Sequence, residues 1–352
     1  MAWALRFLHR QEPPRGSLLL APLGGAVLWG LLQLVLGTTV YRFVTWNAVL
    51  YWLTALVLVF VSLQALSGGA TREAFLKALL WFGLAVSVIA VLQVFTSGGK
   101  VFWIFPSGYT DRVFGPFVYH NNFAAFIELL LPLALYQALR DRRHSMAYTA
   151  MAGAMYASVI ASTSRAGATL ATLEIAAVLS IAAARREYGF ARLRTVALLV
   201  AGCAGVFTAV VGPRALWERF RQPDPYVLRR EMHQSALAMA RERPWLGFGL
   251  GTFEAAYPAY ALFDIGLVVN HAHNDWAEWL AEGGVPFLLL MLGMALWSVR
   301  PALRSVWGIG VLSVFAHALV DYPMQRLGLA AWVFVLLGAL AARRPRGKPR
   351  AF

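Results

Sequence analysis

The sequence predicts an all-α polytopic membrane protein with about ten transmembrane helices and one long extracytoplasmic segment. Of its 352 residues, 59% are hydrophobic and only 14% are charged, whereas an ordinary soluble domain has roughly 25% charged residues. The mean hydropathy is +0.61, and apolar runs of about twenty residues, the length that crosses a bilayer, recur along the chain. Water is therefore not the main solvent that this chain is expected to meet.

Ten apolar runs are predicted to cross the membrane. The first follows the basic residues 1–17, is too long for the apolar part of a signal peptide and has no small-residue cleavage pattern after it, so it is predicted to be an uncleaved span. Residues 18–212 hold the first seven spans, and residues 273–342 hold the last three. The predicted spans are residues 18–37, 47–66, 75–96, 122–139, 146–163, 167–184, 195–212, 276–298, 305–321 and 327–342.

The basic residues predict which side of the membrane each loop faces. Most of the 31 lysines and arginines fall in segments that are cytoplasmic if the N-terminus is inside, including 140–143, 185–194 and the basic tail 343–352. This bias orients the spans and leaves both termini cytoplasmic. A net charge of +14 is thereby accounted for without nucleic acid, because no basic run coincides with a soluble fold.

Two predicted outside segments are longer than a turn. Residues 97–121 combine Gly and Pro with aromatic residues, which favours a segment lying at the membrane interface. The segment 213–272 is the nearest part of the chain to a soluble domain. Within it, residues 225–243 have apolar side chains at three- and four-residue spacing, which predicts an amphipathic helix on the membrane surface that stops at Pro244 and the glycines of GFGLG.

The first candidate polar group extends from Asp111 to Asn122 and leads into the fourth span. Arg112 is able to bind a phosphate, and it is equally able to act as an interfacial anchor. His120 and Asn121 belong to the same stretch. Asn121 and Asn122 could bind sugar hydroxyls, but asparagine is also an ordinary cap for the helix that follows.

The second candidate is Arg165, which lies in the very short outside turn 162–167 between two apolar runs. An arginine at this place opposes the positive-inside bias. Its guanidinium can engage two phosphate oxygens at once, whereas a lysine would act as a point charge. This position favours a binding role.

The third candidate group enters the eighth span and contains His271, His273 and Asn274, with Glu278 and Glu282 further along. Asn274 and the two glutamates are four residues apart, so a helix places them on one face, and this polar stripe is predicted to descend into the bundle. A histidine at such a mouth can act as a base near neutral pH. A solvated histidine pair at a helix start is the plain alternative.

A metal site at His271 and His273 is a further alternative. It would need a third ligand such as His317 or Asp264, and no motif supports one. We expect neither a metal nor a cofactor. Cys203 is the single cysteine, so an intrachain disulfide and a cysteine metal cluster are excluded.

Other polar residues add to the same picture. Arg230 belongs to the predicted amphipathic helix, and Asp321 and Arg326 follow His317 near the outer end of the ninth span. Glu174 lies deep in the sixth span without an evident partner. The residues predicted to face outside come from four separate segments, and their several arginines with a histidine suit an anionic, lipid-linked substrate. They are Arg112, His120, Asn122, Arg165, Arg230, His273, Asn274, Asp321 and Arg326.

These motifs, in this order, resemble those of the O-antigen ligase and O-antigen polymerase family of membrane glycosyltransferases. The resemblance covers roughly residues 105–340. It rests on the stretch from Arg112 to Asn122, on 164–167, on Pro244-Trp-Leu-Gly-Phe-Gly249, on His273-Asn274 with Gly284, and on 317–321. Phe287 departs from the ligase pattern, which has a small or hydroxylated residue there, and ten spans are fewer than the roughly twelve common in ligases.

The resemblance implies a GT-C-like fold and a metal-independent glycosyltransferase in the bacterial inner membrane, with its active site on the periplasmic side. The donor would be a glycan linked to undecaprenyl pyrophosphate, and the acceptor would be lipid A-core or another glycan. The resemblance implies a catalytic role for His273 and pyrophosphate binding by Arg112, Arg165 and Arg230. Glycan-binding or supporting roles would fall to His120, Asn122, His271, Asn274, Glu282 and Asp321.

Two alternatives to a ligase are also consistent with the sequence. A polymerase of O-antigen or exopolysaccharide differs only in the acceptor, and the sequence does not separate the two enzymes. A transporter of bicarbonate or another anion belongs to a different class. It would need polar residues on both membrane faces or an inverted repeat, whereas the polar motifs of this chain are predicted mainly on one face.

Overall fold

Helices dominate the structure, a computed structural model that describes residues 14–108, 112–211, 221, 226–264, 266 and 268–342. The strands among these residues form one short antiparallel hairpin, β1 (Lys100–Val101) with β2 (Phe105–Pro106). This architecture confirms the all-α class. The predicted cytoplasmic tail 343–352 and most of the predicted N-terminal segment 1–17 lie outside the described residues.

The helices follow the apolar runs of the sequence closely, because a backbone in lipid must satisfy its hydrogen bonds internally. They are numbered here in chain order. The helices are α1 (Leu20–Leu36), α2 (Arg42–Ala65), α3 (Gly69–Thr96), α4 (His120–Arg140), α5 (Ser145–Ala161), α6 (Arg165–Ala184), α7 (Phe190–Val211), α8 (Val227–Glu242), α9 (Phe253–Ala256), α10 (Asp275–Ser305), α11 (Ile309–His317) and α12 (Leu327–Ala341).

Each predicted span overlaps one of these helices. Among the described residues, α2, α3, α4, α6 and α10 are long and apolar enough to cross a membrane, and α1 and α12 are shorter apolar helices. The chain is therefore an integral membrane protein. The total of ten spans stays a prediction.

The predicted spans 276–298 and 305–321 differ most from the structure. Helix α10 continues to Ser305, where Val306 takes up a left-handed backbone with φ of 61°. Helix α11 then has only 9 residues, which is too short to cross a bilayer by itself. A β-branched residue such as Val306 seldom takes up a left-handed backbone, so the sequence contained no signal that the helix would end there.

The predicted interfacial segment 97–121 contains the hairpin. Its tip exposes Phe102, Trp103, Ile104 and Phe105, which agrees with the aromatic character that led to the prediction. The amphipathic helix predicted at 225–243 is present as α8, Val227–Glu242.

The chain forms two compact units. The first contains residues 14–75, 228–301 and 330–342 of the described chain. In it α1 packs on α2, and Trp52 of α2 meets Phe287 edge-on with ring centroids 5.4 Å apart. Phe287 is fully buried, so its departure from the ligase pattern has a packing role. Phe334 of α12 joins the same aromatic cluster.

The second unit contains residues 76–227 and 302–329 where they are described. Helix α4 is its central element, buried along nearly its whole length, with α5, α6, α7 and α11 packed around it. Two close approaches depend on glycine. A Cβ on Gly167 would lie 2.5 Å from the Ala124 Cβ, and one on Gly310 would lie 2.4 Å from the Leu129 carbonyl oxygen.

Candidate functional site

A break in α10 organises the polar residues of the first unit. Gly284 has φ of 67° and ψ of −173°, a conformation almost restricted to glycine. The loop after Pro244 fills the break, because the Val285 N–H donates to the Pro244 carbonyl at 2.8 Å. The Gly249 N–H likewise donates to the Glu282 carbonyl at 2.9 Å. The loop and the broken helix therefore form one hydrogen-bonded structure.

The glycines of GFGLG form the predicted turn, and each has a positive φ. Gly247 also needs its small size, since a Cβ there would lie 2.2 Å from the Glu282 carbonyl oxygen. Gly249 is confined in the same way by Thr39, whose Oγ1 would lie 2.2 Å from the added Cβ. These close contacts explain how the turn can pack directly against the broken part of α10.

Glu282 holds this loop from the helix side. It is 3% exposed, and its two carboxylate oxygens accept the N–H groups of Gly251 and Phe253, each at 2.8 Å. The structure thus places Glu282 in a supporting position within the polar stripe predicted from the sequence.

Two side chains of α1 complete the support, and sequence reasoning missed both. The Gln33 amide donates to the carbonyls of Leu246 and Glu282 at 2.6 and 2.9 Å and accepts the Leu250 N–H at 3.0 Å. The Trp29 indole N–H donates to the Gly283 carbonyl at 2.8 Å. A buried glutamine inside an apolar run was the available signal, because such a group needs partners in lipid.

The histidine loop lies directly before α10. Ala272 is fully buried in a small apolar core with Phe253 and Tyr257, while His271 and His273 on either side of it are partly exposed. The loop therefore buries Ala272 and leaves the imidazole rings of His271 and His273 at the surface of this core.

Hydrogen bonds fix the conformation of the histidine loop. His271 Nδ1 lies 2.9 Å from Glu278 Oε1, and the Ala272 N–H donates to Glu278 Oε2 at 2.7 Å. His273 has a left-handed backbone with φ of 52°, and its carbonyl lies 3.1 Å from His233 Nε2 of α8. Asn274 caps α10, since its side-chain oxygen accepts the Ala277 N–H at 3.1 Å.

Helix α8 is joined to the loop that follows it through Glu231. This buried carboxylate accepts hydrogen bonds from the Ser235 and Tyr257 hydroxyls at 2.9 and 2.6 Å and from the Leu262 N–H at 3.0 Å. Burial, together with the bond to Glu231, raises the pKa of Tyr257. Burial and a hydrogen bond to Glu242 raise the pKa of Tyr260 to about 12.

Arg230 also belongs to α8 and is exposed. Arg243, just after the helix, has a different environment. Its guanidinium lies 4.4 Å from the Phe248 ring centroid and donates to the Thr38 carbonyl at 3.3 Å.

The second unit contains a polar cluster around Asp321, which is 1% exposed. The carboxylate accepts hydrogen bonds from the Tyr119 hydroxyl at 3.2 Å, from the Asn121 amide and from the Tyr322 N–H. The Tyr119 and Tyr322 rings stack with centroids 5.8 Å apart, and the Arg326 guanidinium lies 5.0 Å from the centroid of the Tyr322 ring. Asp321 thus holds the start of α4.

The other candidates on α4 lie beside this cluster. His120 begins the helix, is half-buried and has its ring 4.9 Å from that of Tyr119. Asn122 is 6% exposed. Arg112 is exposed and lies just before the Phe114 to Phe117 backbone bridge that precedes the helix.

Arg165 is the first residue of α6. Ser164 caps this helix by accepting the Gly167 N–H at 3.1 Å, and the Arg165 guanidinium lies 4.8 Å from the centroid of the Tyr226 ring. The residue is half-buried. A helix N-terminus with a guanidinium beside it favours an anion, because both are electropositive.

Buried ionisable residues lie deeper in the second unit. His317 Nδ1 lies 2.9 Å from Oε1 of Glu128 on α4. Both residues are fully buried. Glu174 of α6 is also buried. Pairs this distant in sequence could not be found from the pattern.

A metal centre finds no support in the described part of the chain. No group of three or more His, Cys, Asp and Glu residues there is placed to hold a metal ion. His317, one of the two residues that the sequence offered as a third ligand, lies in the buried pair with Glu128.

The fold and the polar residues define an α-helical integral membrane protein with arginine, histidine and carboxylate groups gathered at helix starts. The model of the family described as O-Antigen ligase matches residues 150–292. This part of the chain is therefore similar to that family, and the match confirms the resemblance inferred from the motifs. The match supports a function of ligase or polymerase type, with glycan and lipid-linked substrates in a membrane. No curated protein matches the chain.

The matched range divides the candidate residues into two sets. Arg165, Arg230, His271, His273, Asn274 and Glu282 lie inside it. The remaining candidates lie outside the matched residues, so their roles depend on the resemblance of the motifs and on the contacts described above. They are Arg112, His120, Asn122 and Asp321.

Proposed function

We propose that the protein transfers a glycan from undecaprenyl pyrophosphate to an acceptor hydroxyl at the outer face of the bacterial inner membrane, as an O-antigen ligase does. The observation that carries this proposal is the family match, which contains the histidine loop and Arg165. In the reaction, the acceptor oxygen attacks the anomeric carbon and the pyrophosphate departs. No metal or nucleotide sugar takes part.

His273 is proposed as the histidine that acts on the acceptor, as base or orienting group. Arg112, Arg165 and Arg230 are proposed to bind the pyrophosphate and to stabilise the charge that develops on it. The capped start of α6 supports this role for Arg165, and exposure supports it for the other two.

The other candidates are proposed to bind the glycan or support the site. His120, Asn122 and Asn274 carry polar side chains at the starts of α4 and α10. Glu282 and Asp321 act from buried positions, Glu282 through the loop after Pro244 and Asp321 through Tyr119 and Asn121. His271 supports the site from the loop that also contains His273.

The proposal includes the membrane arrangement. Ten spans of GT-C-like arrangement would cross the inner membrane, seven within residues 18–212 and three within 273–342. Residues 213–272 would lie outside, and the segments 1–17 and 343–352 would be cytoplasmic. The excess of basic residues in the predicted inside loops supports this orientation.

Deleting the gene and separating the surface glycans on a gel tests the proposal. A ligase predicts loss of all long chains from the lipid A-core while lipid-linked polymer is still present. Single-repeat caps would instead show a polymerase, and unchanged glycans would contradict both. Complementation should succeed with His144→Ala and fail with His273→Ala, because His144 is an exposed histidine that pairs only locally with Asp141 among the described contacts.

A further inference from the structure

The histidine loop contains a second imidazole in a distinctive environment. His271 Nδ1 lies 2.9 Å from the Oε1 atom of Glu278. The carboxylate side chain is 2% exposed and the imidazole 20% exposed. A buried acceptor and a ring that reaches the surface are thus joined by one hydrogen bond.

This contact determines which nitrogen of His271 can act as a base. A carboxylate accepts hydrogen bonds, so it assigns the ring hydrogen to Nδ1 and leaves the lone pair of the neutral ring on Nε2. When Nε2 takes up a proton, the carboxylate stabilises the imidazolium that forms. The pairing therefore provides both a defined tautomer and a counter-charge.

Glu278 is itself held in place, which a positioning role requires. Its second oxygen accepts the Ala272 N–H at 2.7 Å, and Ala272 is fully buried. Glu278 lies in the first turn of α10, which Asn274 caps. Helix, carboxylate and loop thus hold the His271 ring against a fixed support.

The neighbouring histidine belongs to the same rigid loop. The carbonyl of His273 lies 3.1 Å from His233 Nε2, and its φ of 52° is maintained by these surroundings. With Ala272 buried between them, the two rings have fixed places in one short segment. An acceptor bound by one histidine would be close to the other.

We propose that Glu278 and His271 form the proton-accepting dyad of the site, with His273 orienting the acceptor. This inference rests on the proposed glycosyl transfer. The acceptor O–H proton moves to His271 Nε2 while the oxygen forms its bond to the anomeric carbon. The bond from that carbon to the phosphate oxygen breaks, its electron pair leaves with undecaprenyl pyrophosphate, and the proton on His271 is later released to water. His271 is thus a catalytic residue and Glu278 a positioning residue.

The test uses the full chain in lipid vesicles with undecaprenyl-pyrophosphate-linked glycan and lipid A-core. His271→Asn is the main variant, because its amide N–H can replace Nδ1–H toward Glu278 but offers no basic nitrogen. It should lower kcat by about 100-fold or more, the usual range for a lost general base, with little change in KM. His271→Ala should lose activity to the same extent and regain part of it on addition of free imidazole, whereas a structural role predicts no recovery.

Glu278 is tested by a matched pair of substitutions. Glu278→Gln should lower kcat by about 10-fold or more with KM nearly unchanged, since an amide gives no counter-charge. Glu278→Asp should recover part of the activity. Glu254→Gln, at an exposed glutamate of α9, should behave as wild type.

The outcomes separate this inference from the function on which it rests. A wild-type chain that transfers no glycan from any lipid-linked donor to either acceptor would reject the proposed function and the dyad together. An active wild type with a fully active His271→Asn would reject the dyad alone. Loss of activity in His271→Ala without any recovery in imidazole, in a variant whose thermal unfolding matches wild type, would also reject it.

Discussion

Replacing Glu282 by glutamine is expected to loosen the loop that follows Pro244. The two Glu282 oxygens each accept one backbone N–H, from Gly251 and from Phe253, both at 2.8 Å. An amide has a single acceptor oxygen, so one of these N–H groups would lose its partner and face the new NH₂ group. A buried polar group without a partner costs about 1–3 kcal/mol, so we expect a loss of about 2 kcal/mol confined to this loop.

Hydrogen exchange of the loop in detergent micelles measures this effect directly. A loss of about 2 kcal/mol corresponds to exchange roughly 30-fold faster for the amides of Gly251 and Phe253. Glu254→Gln is the matched control, because Glu254 lies in the same segment and is exposed, and it should leave exchange unchanged. Equal protection in Glu282→Gln and wild type would refute the assignment of Glu282 as the anchor of the loop.

Two further substitutions test the same region. Gly284→Ala should lower the free energy of unfolding by at least about 3 kcal/mol, because its Cβ would lie 2.4 Å from the Trp245 carbonyl oxygen. Gly293→Ala on the same helix meets open space and should leave thermal unfolding unchanged. Equal Tm values for Gly284→Ala and wild type would contradict the helix break at Gly284. The pKa of Tyr260 is raised to about 12. The phenolate absorbance that wild type shows and Tyr260→Phe lacks should therefore appear near pH 12. The protonated phenol stabilises the fold below pH 10, and this contribution is lost as the pH rises to about 12; titration centred near pH 10 would contradict the burial described.

Hydrophobic pattern and local signals were sufficient to locate most helices. Helix α8 begins at Val227 and ends at Glu242, close to the predicted 225–243, because spacing within one amphipathic helix is a local property. The turn at Gly247 to Gly251 was also readable locally, because it depends on the backbone preferences of a few neighbouring residues.

The features that could not be predicted depend on contacts between distant segments. The break at Gly284 forms because the loop after Pro244 supplies its hydrogen bonds, and Gln33 joins that loop from more than two hundred residues away. The pairing of Glu128 with His317 is similarly long-range. Polar residues are expensive in a membrane and need partners there, but tertiary packing alone determines which partners they find.

Transfer by the purified protein is the most direct test of the central claim. The chain would be placed in vesicles with undecaprenyl-pyrophosphate-linked glycan and lipid A-core, without added divalent metal, and the products would be identified by mass spectrometry. We expect glycan joined to the lipid A-core and one undecaprenyl pyrophosphate released for each glycan transferred, with His144→Ala active and His273→Ala inactive. Intact donor after incubation with wild type, for this acceptor and for a second lipid-linked glycan, would contradict it.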